Sequence, residues 1–274
     1  MHPGVLSFWF ATPHVSEPYD MAWQEQRNYC SEVALEGNFW GTITSEPGSG
    51  GDVMNTKTRA EKTDNGYKIS GLKHFGSGTG MMSYMITTAI VPGDTMPDVF
   101  YVDMRDVPLD GSQGAKLMFP WDGHGMIATQ SHSVKFENFP ATRVAWAGHI
   151  MELGAPLNTL ASCIFTAVIV GIVEVAVETA RKQLEKRYTQ MKAYEQVEWT
   201  KIEMESWLIQ QAYEGMLTTV EQESPSSLRE TLMGKTAISE LSESVMTRLC
   251  KVMGGGTFSR HSPFGFWFQD VRAL

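Results

Sequence analysis

Serine, threonine and glycine crowd into three loops of this chain, and that mixture suits a backbone to hold a polar ligand. The first loop is Thr42-Ile43-Thr44-Ser45-Glu46-Pro47-Gly48-Ser49-Gly50-Gly51-Asp52. Its glycines allow sharp turns and close approach to a bound group. Thr44 and Ser45 add hydroxyls where an expected strand ends, and the N–H groups of such a loop can converge on an anion or a carbonyl edge. No Gly-Lys-Ser/Thr follows, which excludes a P-loop; on local pattern alone a tight β-turn is the simpler reading. The second loop, Lys73-His74-Phe75-Gly76-Ser77-Gly78-Thr79-Gly80, contains GxGxG. No helix-like segment follows it and no βαβ unit surrounds it, so a dinucleotide fingerprint is not expected. Phe75 offers a flat ring for stacking, and Ser77 a hydroxyl for a ring nitrogen. The third loop, Val252-Met253-Gly254-Gly255-Gly256-Thr257-Phe258, closes a helix, and glycine in the left-handed conformation explains it without a ligand.

Other reactive side chains are dispersed. Cys30, Cys163 and Cys250 form no CxxC pair and no disulfide framework, so a reducing, cytoplasmic compartment is expected. His74, His124 and His132 lie on separate β loops and form no metal set. His261, in Ser259-Arg260-His261-Ser262-Pro263, is either a surface or packing histidine or a weak catalytic candidate.

The segments that must position these loops are of three kinds. Residues 1–38 contain one expected helix over 21–35, with Asp20 as its cap and Gly37 as its stop. This stretch is too small for a domain. Residues 39–148 read as β: Pro47-Gly48, Asn65-Gly66, Pro92-Gly93, Asp110-Gly111 and Asp122-Gly123 punctuate short runs, and Asn65-Gly66 signals a hairpin. With no helices between the strands, an antiparallel barrel or sandwich is expected over a doubly wound sheet. Residues 151–274 read as helical, with helices expected over 160–188, 197–223 and 228–253 and a break at Pro225-Ser226-Ser227. The fold class is therefore α+β, a β middle domain followed by an antiparallel helical bundle. The first half of the first long helix is apolar all round, so both of its sides should be covered. Ser162, Thr166, Glu174 and Glu178 in or after its apolar run favour a core helix over a membrane span.

Composition narrows the partners. The 274 residues are 42 % hydrophobic, enough for sizeable cores. The net charge of -9, from 22 basic and 31 acidic residues, repels phosphate backbones, so no nucleic-acid partner is expected.

Taken in order, the loops resemble those of the acyl-CoA dehydrogenase family. Thr44-Ser45-Glu46-Pro47-Gly48-Ser49-Gly50-Gly51-Asp52 is similar to T-E-P-G-(A/S)-G-S-D. Phe75-Gly76-Ser77-Gly78 is similar to W-I-T-N, and Gly125-Met126-Ile127-Ala128-Thr129-Gln130-Ser131-His132 to G-M-R-A-T-G-S-H. Met253-Gly254-Gly255-Gly256-Thr257-Phe258 resembles L-G-G-x-G-F, and Gln269-Asp270-Val271-Arg272 resembles R-D-A-K.

The resemblance spans roughly residues 20–274 and implies FAD as cofactor. Thr42, Thr44, Ser45, Gly50 and Gly51 would hold its pyrimidine and diphosphate side, and Phe75 and Ser77 would lie against the isoalloxazine. Gly254 and Gly255 would approach the adenine half of an FAD bound to a neighbouring subunit, with Arg187 where the family places an arginine near the pyrophosphate. The activity implied is α,β-dehydrogenation of an acyl-CoA thioester, with an electron-transfer flavoprotein as acceptor and a homodimer or homotetramer as assembly. The family also contains reduced-flavin monooxygenases with a histidine in a loop comparable to that of His261, and an inactive flavin-binding or scaffold subunit is a further alternative. The chain departs from the family pattern at Gly51, where a substrate-binding serine is usual, and after Arg187, where Phe-Gly is replaced by Tyr188-Thr189. The family's N-terminal helical domain and its Y-E-G glutamate are expected outside these residues. Glu185 and Glu195 read as helix-surface charge rather than as replacements for that base.

Overall fold

A computed structural model describes residues 2–222 and 225–274, and leaves the side chains of residues 155–158 undescribed. Its chain divides into two compact units, Met1–Asp122 with Ile127–Leu157, and Gly123–Met126 with Asn158–Leu274. The described residues form a mixed sheet and six α-helices, an α+β architecture.

The first unit carries helices α1 (His2–Phe10) and α2 (Asp20–Leu35) and seven strands. These are β1 (Trp40–Thr42), β2 (Arg59–Thr63), β3 (Gly66–Gly76), β4 (Tyr84–Ala89), β5 (Asp98–Asp103), β6 (Ala115–Phe119) and β7 (His132–Arg143). The strand order is β1-β4-β5-β7-β3-β2, with β6 paired to β7. β1 and β4 run parallel, which departs from the wholly antiparallel sheet expected; every other ladder is antiparallel. Ala60 N–H donates to Ile90 O at 2.9 Å and Ile90 N–H to Thr58 O at 2.8 Å, so the start of β2 also bonds to the residue that follows β4.

Period-two side-chain alternation explains why β4 and β5 read as continuous apolar runs. Tyr84, Ile86, Val99 and Tyr101 join Trp9, Trp23 and Trp40 in one core under α1 and α2, whereas Met85, Phe100 and Val102 join Ile43, Ile69, Val134 and Phe136 in a second core. The hairpin expected at Asn65-Gly66 is present, displaced by one residue. Thr63 pairs with Gly66, so Asp64 and Asn65 make the turn and Gly66, at φ 129°, opens β3.

The second unit is helical. α3 (Ile150–Glu185) begins ten residues before its expected start, and its first residues belong to the first unit. α4 (Ala193–Glu221) and α5 (Ser227–Met253) follow, then the short α6 (Pro263–Asp270). Residue 223, the expected end of the second long helix, lies outside the described residues. Ile169, Val173, Ala176, Val177 and Leu184 of α3 pack with Trp199, Ile202 and Ile209 of α4 and Ile238, Val245 and Leu249 of α5. Among the described residues of α3 from 159 onward, only that side is covered. Phe165, Val168 and Val175 are about half exposed because α4 and α5 occupy one flank, which corrects the expectation that both sides are covered. By length and composition alone α3 could cross a membrane, with a mean hydropathy of 2.4 in its most apolar window, but its buried face is the one α4 and α5 contact.

Candidate functional site

In the first unit, β1 and β3 leave the sheet side by side, and most of the residues singled out above lie where they do. Thr42 and Ser77 pair in an isolated antiparallel bridge. His74 N–H donates to Ser45 O at 2.8 Å, and Lys73 Nζ lies 3.3 Å from Thr44 O. The approach is close enough to require glycine at residue 41. A Cβ there would stand 2.6 Å from Ser77 O.

A buried ion pair underlies this junction. Lys73 Nζ is 2.7 Å from Glu46 Oε1, with the two side chains 0 % and 3 % exposed. Glu46 also accepts from Lys57 N–H at 2.6 Å, Thr58 N–H at 3.1 Å, Thr58 Oγ1 at 2.7 Å and the Thr56 hydroxyl. Lys73 reaches Thr88 O at 2.8 Å and Thr56 Oγ1 at 3.0 Å. Burial alone would raise the Glu46 carboxyl, but hydrogen bonds from Lys73, Thr56, Thr58 and the Lys57 N–H bring it down to about 2. Burial pulls the Lys73 ammonium down to about 8, against the opposing pull of Glu46. Neither residue was singled out as a site residue from the sequence. The signal was a lysine at an inward position of β3, in period with buried Ile69, which demands an anion inside.

Beyond the ion pair, the glycine-rich turn opens outward. Gly50 and Gly51 take φ of +66° and +82°, and no described atom lies within 4 Å of where a side chain would begin. A side chain at either position would project into open space.

Phe75 and Ser77 follow Lys73. Phe75 holds φ 53°, unusual for a bulky residue, and the residue is 59 % exposed. The Trp121 ring meets it edge-on, with centroids 6.0 Å apart at 79°. Ser77 Oγ lies 3.2 Å from Ser131 Oγ, which lies 2.7 Å from Thr129 Oγ1, and Gly78 N–H donates to Thr129 O at 2.8 Å. An exposed aromatic ledge thus adjoins a row of hydroxyls. Such a surface can take a flat ring on its apolar part and hydrogen-bond the ring's polar edge. Trp121 escaped selection from the sequence, and Thr129 and Ser131 fell within a quoted motif without being given a site role.

In the second unit, Arg187 is engaged by the protein itself. Its Nη1 donates to Glu195 Oε1 at 3.1 Å and its Nη2 to Val252 O at 2.7 Å, two residues before Gly254. Glu195 is consequently not the solvated surface charge expected. The Lys192 N–H, then Arg187, hold its carboxyl below the usual range. Gly254 and Gly255 have no described atom within 4 Å of a notional Cβ, and Gly254 sits at φ +83°. In the same unit Met126 N–H donates to Asp270 Oδ1 at 2.6 Å, and a Cβ at Gly125 would lie 2.6 Å from Gln269 O. His261 stands on an exposed turn before α6, where its N–H donates to Ser259 Oγ at 3.2 Å. Among the described residues no cluster of three or more histidine, cysteine or acidic side chains is arranged to hold a metal.

No family profile matches the chain. Among curated proteins it is similar to the dibenzothiophene monooxygenase of Mycolicibacterium goodii, 26 % identical over 169 residues, and to that of Rhodococcus erythropolis, 29 % identical over 170 residues. Each match takes in 58 % of this chain and 40 % of the relative, so the chain spans well under half the length of the curated relatives it matches. A glutaryl-coenzyme A dehydrogenase in complex with glutaryl-CoA superposes with a TM-score of 0.79 at 15 % identity, over 98 % of this chain and 68 % of the other. FMN-bound TdsC from Paenibacillus sp. A11-2 superposes with a TM-score of 0.77 at 19 % identity, over 98 % and 72 %. The fold is that of the acyl-CoA dehydrogenases and of the dibenzothiophene monooxygenase TdsC.

Proposed function

We propose that this chain is the flavin-binding part of an oxidoreductase that uses reduced flavin and molecular oxygen to oxygenate an aromatic or heteroaromatic substrate. The exposed Phe75 with half-buried Trp121 against it, beside Ser77, Ser131 and Thr129, carries this reading. With Phe75 against the flavin ring, Trp121 remains as aromatic surface on which a flat substrate can lie. The likeness to dibenzothiophene monooxygenases in sequence supports the same direction.

The residues present fit a flavin. A flavin needs a flat apolar contact, hydroxyl or N–H donors along its ring edge, and an open glycine backbone for phosphate. Phe75, the Ser77 hydroxyl, the Thr44–Ser45 edge and the Gly50-Gly51 turn are of these kinds. When bound in its reduced form a flavin activates oxygen. The chain's own contribution is to hold the ring with Phe75, to orient it through Thr42, Thr44, Ser45 and Ser77, and to offer apolar surface at Trp121 for substrate. Either FMN or FAD is compatible with the first unit; if FAD is used, Gly254 and Gly255 of the second unit are assigned to the adenine half of an FAD bound to a neighbouring subunit. Self-association as a dimer or tetramer belongs to the proposal, and the exposed Phe165, Val168 and Val175 of α3 support it.

The test is substrate-dependent oxygen uptake with supplied reduced FMN, using dibenzothiophene or indole as probes. An oxygenated product labelled from isotopic oxygen is the expected outcome; uptake unchanged by substrate would count against oxygenation. The second reading, α,β-dehydrogenation of an acyl-CoA thioester with an electron-transfer flavoprotein as acceptor, draws on the likeness to the glutaryl-CoA dehydrogenase complex. Anaerobic bleaching of bound flavin by an acyl-CoA would favour it.

A further inference from the structure

We infer that Glu46 and Lys73 are positioning residues that clamp the glycine-rich turn to β3 and so set the spacing between the two edges of the ring-binding site. This inference rests on the flavin reading above for its functional consequence, and on the described contacts for its mechanics.

Glu46 sits at the start of the turn that carries Gly48, Gly50 and Gly51. Its carboxylate gathers the hydroxyls of Thr56 and Thr58 and the N–H groups of Lys57 and Thr58, so it folds the turn back on the residues that lead into β2. None of those bonds reaches β3. Lys73 supplies that connection. Its ammonium lies 2.7 Å from Glu46 Oε1 and 3.3 Å from Thr44 O, and it belongs to the strand that ends in Phe75 and Ser77. The neighbouring His74 N–H bond to Ser45 O, at 2.8 Å, is the backbone seam that this clamp closes. Thr44–Ser45 and Phe75–Ser77 would touch the same ring. An error of an ångström in their separation therefore falls on binding even when the fold survives.

A buried pair of this kind contributes little net stability compared with well-packed apolar residues, because desolvating two charges offsets their attraction. Its geometric role is what distinguishes it. Thr88 gives a control: its hydroxyl lies 3.3 Å from the same ammonium, but Thr88 belongs to β4 and touches neither edge of the site.

The experiment compares the 274-residue chain with Lys73→Met, Glu46→Gln and Thr88→Val. Amide exchange at His74 is measured without flavin, FMN affinity is measured by fluorescence quenching, and the visible spectrum of bound FMN is recorded. Lys73→Met should speed His74 exchange and weaken FMN roughly tenfold or more, about 1.4 kcal/mol, with a changed spectrum. Glu46→Gln, which keeps the side-chain size if the lysine variant fails to fold, should shift the same quantities in the same direction. Thr88→Val should leave FMN affinity and spectrum near those of the parent even where it lowers thermal stability. If FMN affinity merely tracks thermal stability across all three variants, or if His74 exchange is unchanged in Lys73→Met and Glu46→Gln, the clamp is overturned. A parent chain that binds FMN beside variants that bind equally well overturns the clamp alone; a parent that binds no flavin overturns the clamp together with the flavin reading.

Discussion

Met126 donates its N–H to the Asp270 carboxylate at 2.6 Å, joining residues 144 positions apart in the chain. The bond locks Gly123–Met126 into the helical unit, where Gly125 lies against the Gln269 carbonyl too closely for any side chain. Two motifs recognised separately in the sequence thus form one junction. Replacing Asp270 by Ala removes the acceptor of a charge-assisted bond and should lower stability by about 1–2 kcal/mol. Asp270→Asn, which keeps an oxygen, should cost less. Urea unfolding of the three proteins decides the order.

Phe75 pays a conformational cost for its position at φ 53°. Glycine accepts that backbone region freely, whereas alanine does not. Phe75→Gly should therefore be more stable than Phe75→Ala by about 1 kcal/mol, while both variants lose flavin affinity to a similar degree. Equal stability of the two would show that the strain is relieved in the free protein.

The depressed Glu46 carboxyl links stability to acid. Its folded pKa of about 2 lies below the ordinary 4.5, so the unfolded chain takes up a proton first as pH falls. The stabilisation is complete above about pH 4.5 and is lost progressively on the way down to about 2. Glu46→Gln, with no such proton to bind, should show a flatter stability profile across that window. Denaturant titrations at several acidic pH values compare the slopes.

Ser77 shares its hydroxyl with Ser131 at 3.2 Å in a half-buried setting. Ser77→Ala should reduce stability by only about 0.5–1 kcal/mol and yet alter the visible spectrum of bound flavin, because it removes the hydroxyl that the proposed flavin site places near the ring edge. His261→Ala, on an exposed turn, should leave flavin affinity unchanged. Calorimetry and flavin difference spectra test both.

Legibility followed the range of the interactions involved. α2, α4 and α5 were readable because their apolar periodicity and punctuation are local: the expected spans 21–35, 197–223 and 228–253 lie close to Asp20–Leu35, Ala193–Glu221 and Ser227–Met253. α1 was missed because nine residues with Pro3-Gly4 at the start show no helical rhythm; it is held by burial of Trp9 and by the Trp9 indole bond to Gln26 at 2.9 Å. The early start of α3 was hidden by Gly154 and Pro156, which argue locally for a break. The glycine loops announced a site, but the Glu46–Lys73 pair did not, since its partners are 27 positions apart and meet only once β3 is in register. The parallel pairing of β1 with β4 was beyond local reading for the same reason.

Fluorescence titration of FMN and FAD into the purified chain asks the most basic question. We expect saturable quenching by at least one of them, weakened in Phe75→Ala and restored by no excess of a simple phosphate. Unquenched fluorescence with both flavins, in a chain whose unfolding transition confirms that it is folded, would contradict the assignment of the Thr44–Ser45 and Phe75–Ser77 edges as a flavin site.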